Sequence, residues 1–263
     1  MRRCDVLRVF TRGDAGGNHL GVVTDLTGLD GEAMQQVAAE LGYSETIFLD
    51  VDAEPVPEVR IFTPAAELPF AGHPLVGAAW VLGGADASMR CGIGEVRATA
   101  GPERAAVEVP LSLRVEEAAD GVEMAAAAGL PEPRGAWWAR MPIPYLVLEY
   151  DSPDVVAAAR PDPRALAAGR AGEAAYLIAG AGPGRAKARF FAPGLGVFED
   201  PATGSAAAAW AAVSAFRGIP SGEVRIAQGD EIGHPSTIEL AWSEGICRLG
   251  GTVRRDGSRE VAR

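Results

Sequence analysis

The sequence predicts an α+β fold of two pseudo-symmetric lobes, each a β-sheet curled around one buried helix. Three observations carry the prediction. Two helical stretches, at 74–83 and 204–216, contain no charged residue. Short β-rich runs flank both of them. The order of elements in the first half of the chain recurs in the second, as a repeat of pattern rather than of letters. A helix that is apolar all round has to be covered on all sides, and alanines such as those of "GSAAAAWAAVSAF" let strands come close to it. Taken singly, each stretch also fits an ordinary core helix of a larger α+β fold.

The elements follow in order. Alternating runs predict strands at 4–10, 20–25, 45–49, 58–63, 95–100 and 105–110. Between them, Met34, Val37, Ala38 and Leu41 recur at helical spacing, with Gly42 placed to end that helix. The apolar stretch "HPLVGAAWVLGG" (73–84) gives the first central helix. After 120–130 come strands near 136–141 and 144–150. A helix follows at 153–159, with Ser152 as N-cap and Pro153 at its first position, and a further helical turn at 163–168. Strands at 174–179 and 186–191 precede the second central helix, and strands near 223–228, 236–241 and 246–253 close the pattern. The lobes are expected at 1–118 and 119–263, joined within 112–135, with a crossing of the C-terminal strand back to the first lobe left open.

Composition narrows the function classes. The chain has 263 residues, 48% hydrophobic and 22% charged, with a net charge of −11 and a sequence pI near 4.8. That charge repels nucleic acid. No apolar run reaches the ~18 residues of a membrane span, and the start "MRRCDVLRVF" lacks the apolar core of a signal peptide. Cys4, Cys91 and Cys247 are widely spaced, so reduced, packed thiols in a cytoplasmic protein are expected. His19, His73 and His234 are scattered, so no metal site is expected. "GAGPGRAKA" lacks Gly-Lys-Ser/Thr and reads as a hairpin loop. No cofactor is expected.

The chemistry-bearing stretches sit at the starts of the two central helices. "FAGHP" (70–74) and "ATGSA" (202–206) each place a Gly and a polar residue there. A helix N-terminus offers about four unpaired N–H groups and roughly half a positive charge, and Gly lets a ligand approach the backbone. Two such tips facing one cleft would bind a carboxylate. The plainer alternative makes Gly72 and Gly204 turn residues, and His73 and Ser205 caps. Glu45, in "GYSETIFL", opens a strand among Tyr43, Ile47 and Phe48, apolar enough to raise a carboxylate toward neutrality for proton transfer. A surface Glu at a strand edge is the alternative. Asp200, in "FEDPATGS", is an acid, an orienter of His73, or a turn-former before Pro201.

Together, "DVLRVFTRGDAGGNHLGVV", "SETIF", "FTPAAELPFAGHP", "FFAPGLGVFEDPATGSA" and "QGDEIGHPS" resemble the phenazine-biosynthesis PhzF-like family over nearly the whole chain. The resemblance implies a fold shared with diaminopimelate epimerase, with mixed, mainly antiparallel sheets around the central helices and an active site between the lobes. It implies a cofactor-independent isomerase like that acting on trans-2,3-dihydro-3-hydroxyanthranilate, and a homodimer. The proton-moving glutamate carries over to Glu45. Further catalytic roles carry over to His73 and Asp200, and substrate binding to Gly72, Gly204, Ser205 and Asn18. The epimerase has cysteines before both helix starts, where this chain has Ala71 and Thr203, which disfavours paired thiol bases. The chain departs from the family pattern at His19, where Pro is commoner, and at His234, where Arg is commoner. Two other readings stand beside the isomerase: a Ser205/His73/Asp200 hydrolase without the usual nucleophile elbow, and a non-catalytic protein that binds small carboxylates.

Overall fold

A computed structural model describes residues 1–111, 114–141, 143–168 and 174–261; Ser112 and Leu113, within the expected junction, lie outside the described residues. Contacts divide the chain into two units, Met1–Val109 with Arg248–Arg263, and Pro110–Cys247, where the sequence reading put the division at 118/119.

In the first unit the elements are β1 (Arg2–Val9), β2 (Asn18–Val23), α1 (Gly31–Leu41), β3 (Glu45–Asp50), β4 (Glu58–Phe62), β5 (Glu67–Leu68), α2 (Gly72–Leu82), β6 (Ala87–Cys91), β7 (Gly94–Ala100) and β8 (Arg104–Pro110). The pairings β1–β2, β2–β3, β3–β4, β4–β6, β6–β7 and β7–β8 run in sequence. The last strand of the chain, spanning Ile246–Val261, pairs with β8 and with β1 and closes the ring into a barrel. Most pairs are antiparallel; β2–β3 and β4–β6 are parallel. A parallel pair needs a crossover long enough to return the chain. The first crossover contains α1, whose Met34, Val37, Ala38 and Leu41 pack with Phe48 and Phe62 on one face of the sheet. The second contains α2, which contacts β1, β2, β3, β4, β6 and β7 and fills the barrel.

Local chemistry explains these elements. Asp30 caps α1 by accepting from the Ala33 N–H, and Gly42 ends it in the left-handed region at φ 65°. In α2 every residue from Gly72 to Ala79 is buried. Gly77 is required there, because a β-carbon at that position would overlap the fully buried Leu20 of β2.

The second unit contains β9 (Val115–Glu117), α3 (Gly121–Ala127), β10 (Gly135–Met141), β11 (Ile143–Tyr150), α4 (Pro153–Ala158), α5 (Pro163–Ala168), β12 (Ala174–Gly180), β13 (Arg185–Ala192), β14 (Val197–Asp200), α6 (Gly204–Phe216), β15 (Gly222–Gln228) and β16 (Ser236–Ser243), and the first residues of β17 (Ile246–Val261). Here β11–β12 and β13–β15 are the parallel pairs, with α4 and α5 in the first crossover and α6 in the second. The central helix α6 packs on β9, β10, β11 and β16. Its residues Gly204–Ala209 and Ala211–Ser214 are all buried. Ser152 caps α4 through the Asp154 N–H, with Pro153 following as expected. "GAGPGRAKA" lies at the β12–β13 hairpin.

Three sequence readings need correction. Strand β6, "ASMRC", was missed because its only strongly apolar side chain is Met89, and the short β5, β9 and β14 were missed for lack of length. The helix α3 was not assigned. The last strand runs to Val261 rather than ending near 253: its tail "RRDGSREV" is mostly exposed, so no apolar alternation marks it, and pairing with β1 holds it. Among the described residues no helix is long and apolar enough to cross a membrane.

The alanines of α6 are a spacing requirement. Ala208, with no exposed surface, tests it: Ala208→Leu is expected to destabilise the fold by about 1–3 kcal/mol through overpacking, read as a lowered denaturation midpoint.

Candidate active site

Side chains alternate across a strand, and Leu20 meets Gly77 of the enclosed helix. Asn18, two residues before Leu20, therefore shares the inner face of β2. Glu45 stands opposite Leu20 in the parallel β2–β3 register, on the face of β3 that carries Ile47 and Leu49. Phe48 is on the other face, packed edge-on against Phe62, so the apolar neighbour expected beside Glu45 is Ile47 and not Phe48. Gly72 and His73 open α2, and Ala71 precedes them as its N-cap residue.

Three expected site residues thus come together in the first unit: Asn18, Glu45 and His73. His73 is 3% exposed. Its Nε2 lies 3.5 Å from Glu45 Oε2, and its Nδ1 lies 3.4 Å from the amide nitrogen of Asn18. The Asn18 carbonyl oxygen accepts from the Ser44 hydroxyl at 3.0 Å. Sequence reasoning had not singled out Ser44, although it stands beside Glu45 in "SET". Burial pushes the Glu45 carboxyl up from 4.5 to about 7. The side chain keeps 18% of its surface exposed, so it stays reachable from outside. His19 stacks on Tyr43 with ring centroids 5.8 Å apart and sits 3.5 Å from Asp256.

The second unit gathers Asp200, Gly204 and Ser205. Gly204 and Ser205 open α6, with Thr203 as the N-cap residue. The Thr203 hydroxyl donates to Asp200 at 2.6 Å. Gln228, fully buried, donates from Nε2 both to the Asp200 carbonyl at 2.9 Å and to Thr203 Oγ1 at 3.0 Å. Tyr145 donates to the Ser205 hydroxyl oxygen at 2.8 Å. The loop after Gln228 has to turn through Gly229, at φ 82°, where a β-carbon would stand 2.7 Å from the Pro201 carbonyl oxygen. His234 belongs to this loop, its N–H bonded to the Gly229 carbonyl. Neither Tyr145 nor Gln228 was legible as a site residue, because nothing in their local sequence marks a polar partner so far along the chain.

The thiols stand apart from both groups. Cys4 and Cys247 are pushed up to about 11 and about 12 by burial, and Cys91 is raised by the same cause. Ala71 and Thr203 hold the N-cap positions of α2 and α6, so no thiol stands at either helix start. A high-pKa, enclosed thiol is a poor base near neutrality.

Fold and site define a class first: an α+β barrel protein holding a carboxylate–imidazole pair at the start of its enclosed helix, with the carboxyl raised by burial to about 7. The chain belongs to the phenazine biosynthesis-like protein family, whose sequence profile it matches over residues 7–248. Curated relatives carry isomerase names. The trans-2,3-dihydro-3-hydroxyanthranilate isomerase of Pseudomonas aeruginosa is 34% identical over 286 residues, covering 98% of this chain and 96% of its own. An uncharacterised isomerase of Mesorhizobium japonicum is 35% identical over 265 residues, covering 88% of this chain and 87% of its own. Among solved structures, a PhzF-family phenazine biosynthesis protein of Enterococcus faecalis superposes with a TM-score of 0.84 at 24% identity, over 100% of this chain and 99% of that one. A probable proline racemase of Agrobacterium radiobacter shares the fold at a TM-score of 0.67 and 13% identity, over 100% and 93% of the two chains.

The raised Glu45 carboxyl has a stability consequence. Between about pH 4.5 and about pH 7 the folded chain keeps a proton that the unfolded chain releases. Glu45 therefore opposes folding increasingly as pH rises through that window, and most strongly above it. Glu45→Gln is expected to raise the melting temperature at pH 8 by roughly 2–4 °C, with the gain shrinking toward pH 4.5. A thermal melt series across pH checks this.

Proposed function

We propose that this protein is a cofactor-independent isomerase in which Glu45 removes a proton from a carbon of a small carboxylate-bearing substrate and, after exchange with solvent, delivers one to another carbon. The carrying observation is the Glu45 carboxyl, raised to about 7 beside the imidazole of His73. A base with a pKa near the working pH combines a useful ionised fraction with enough basicity to take a carbon-bound proton. A cyclic unsaturated acid of the dihydro-hydroxyanthranilate type, the substrate named for the Pseudomonas aeruginosa relative, suits this chemistry, because the carbanion left behind is spread over the double bonds. The two units are read as pseudo-symmetric lobes: each has a helix-bearing crossover that supplies a central helix, α2 or α6, with Gly at its start.

In this reading the N–H groups at Gly72 and Gly204 bind the substrate carboxylate, Asn18 and Ser205 position it, and Asp200 assists as acid. His73 donates toward charge that develops as the proton leaves. The enclosed thiols and the Ala71 and Thr203 caps favour one carboxylate over two sulfur bases. The hydrolase alternative is weaker, because the Ser205 oxygen already accepts from Tyr145. That leaves the Ser205 proton to be donated, a role suited to binding an anion.

The test is incubation with trans-2,3-dihydro-3-hydroxyanthranilate in heavy water, followed by proton NMR. Isomerised product carrying solvent deuterium is expected, with an activity that rises with pH through about 7. Glu45→Gln should lower the rate by about 10²–10⁴-fold while the protein stays folded. Full exchange by that variant, or labelling of Ser205 by a fluorophosphonate, would overturn the assignment.

A further inference from the structure

We infer that Ser44 and Asn18 are positioning residues that hold His73 as the tautomer with its proton on Nε2, so that the ring presents an N–H, not a lone pair, toward Glu45. The inference rests on the proposed role of Glu45 for its catalytic meaning, but the tautomer itself follows from geometry within the first unit.

The argument runs along a directional chain of hydrogen bonds. The Ser44 hydroxyl donates to Asn18 Oδ1 at 3.0 Å. That bond orients the amide with its NH2 group toward the histidine, where Nδ2 lies 3.4 Å from His73 Nδ1. An amide NH2 only donates, so Nδ1 must accept, and the proton of a neutral ring then sits on Nε2. Nε2 is 3.5 Å from Glu45 Oε2, a contact that tightens readily once a substrate fills the site. The ring is 3% exposed, so bulk water does not compete for Nδ1. The first two links donate in sequence, hydroxyl to amide and amide to imidazole, and the Nε2 proton then faces the Glu45 carboxylate across 3.5 Å. Reversing one link requires reversing those coupled to it. With the amide turned over, His73 would need its proton on Nδ1 and would aim a lone pair at the Glu45 carboxylate, which is electrostatically unfavourable. The outcome is a division of labour: Glu45 is the only base of the pair, and His73 is a donor.

Ser44 has no need to touch substrate for this role. Ser44→Ala removes the donor at the head of the chain, freeing the Asn18 amide to turn and His73 to populate the other tautomer. Ser44→Thr keeps the hydroxyl.

The experiment is nitrogen-15 NMR of the folded, substrate-free protein with labelled histidine, assigning His73 by the signals lost in His73→Gln. Neutral His73 protonated on Nε2 is expected in the parent protein, a shift toward Nδ1 protonation in Ser44→Ala, and recovery in Ser44→Thr. With a turned-over substrate, Ser44→Ala should lower kcat by roughly 10–100-fold with KM changed by less than about twofold. A parent His73 protonated on Nδ1, or a tautomer unmoved by Ser44→Ala in folded protein, overturns the inference. Should Ser44→Ala fail to fold, the parent spectrum alone decides. Because the spectra need no substrate, failure of the isomerase assignment leaves this result standing, and failure of the tautomer leaves the isomerase test untouched.

Discussion

The structure depends on the enclosure of α2. A helix without a polar face is stable in water only where apolar surface meets it from every side, and each fully buried Leu or Val gains about 1.5–3 kcal/mol from that enclosure. Leu75 and Val76 of α2 have no exposed surface. Closing β1–β4, β6–β8 and β17 into one ring supplies the surrounding wall and also removes exposed strand edges, which are open to unwanted pairing. The chemistry follows from this enclosure. The two parallel pairs force crossovers, the second crossover threads α2 through the barrel, and the start of α2 then falls beside the inward-facing side chains of β2 and β3. The packing that keeps water from α2 is the packing that desolvates Glu45 and lifts its carboxyl toward neutrality.

Much of this was legible in the letters. The absence of charge from 74–83 and 204–216 predicts buried helices, and Gly42 and Ser152 mark helix boundaries where the structure has them. Glu45, His73 and Asn18 were each identifiable as site residues from short motifs, yet their mutual contact depends on the parallel β2–β3 register and on the position of α2 inside the ring. Those are long-range facts with no local signal. Strand β6 escaped notice because Met89 is its only large apolar side chain, and the tail of β17 because an exposed strand needs no apolar alternation. Tyr145 and Gln228 were invisible for a further reason: a hydrogen bond to a residue tens of positions away leaves no trace in the sequence around either partner.

The second unit solves a different problem, that of holding a polar segment still in front of an alanine helix. Arg189 and Glu199 form a two-pronged ion pair at 2.7–2.8 Å with both side chains almost fully buried. Arg189 also donates to backbone carbonyls at the end of α4, and Lys187 binds Asp230 and Glu231. A buried ion pair is weak evidence of added stability, because desolvation offsets the attraction. Its geometric demand is strict, however, and here it pins β13, β14 and the loop after Gln228 to one another. Asp200 and Thr203 lie in the stretch so pinned, which leads directly into α6.

The placement of sulfur in this chain bears on the surroundings in which it can work. All three cysteines are interior and carry high-pKa thiols, while Ala71 and Thr203 occupy the helix caps. Peroxide and electrophiles attack accessible thiolates. A carboxylate and an imidazole offer such agents no comparable target. Burial of Cys4, Cys91 and Cys247 thus shields the thiols of this chain from peroxide and electrophiles.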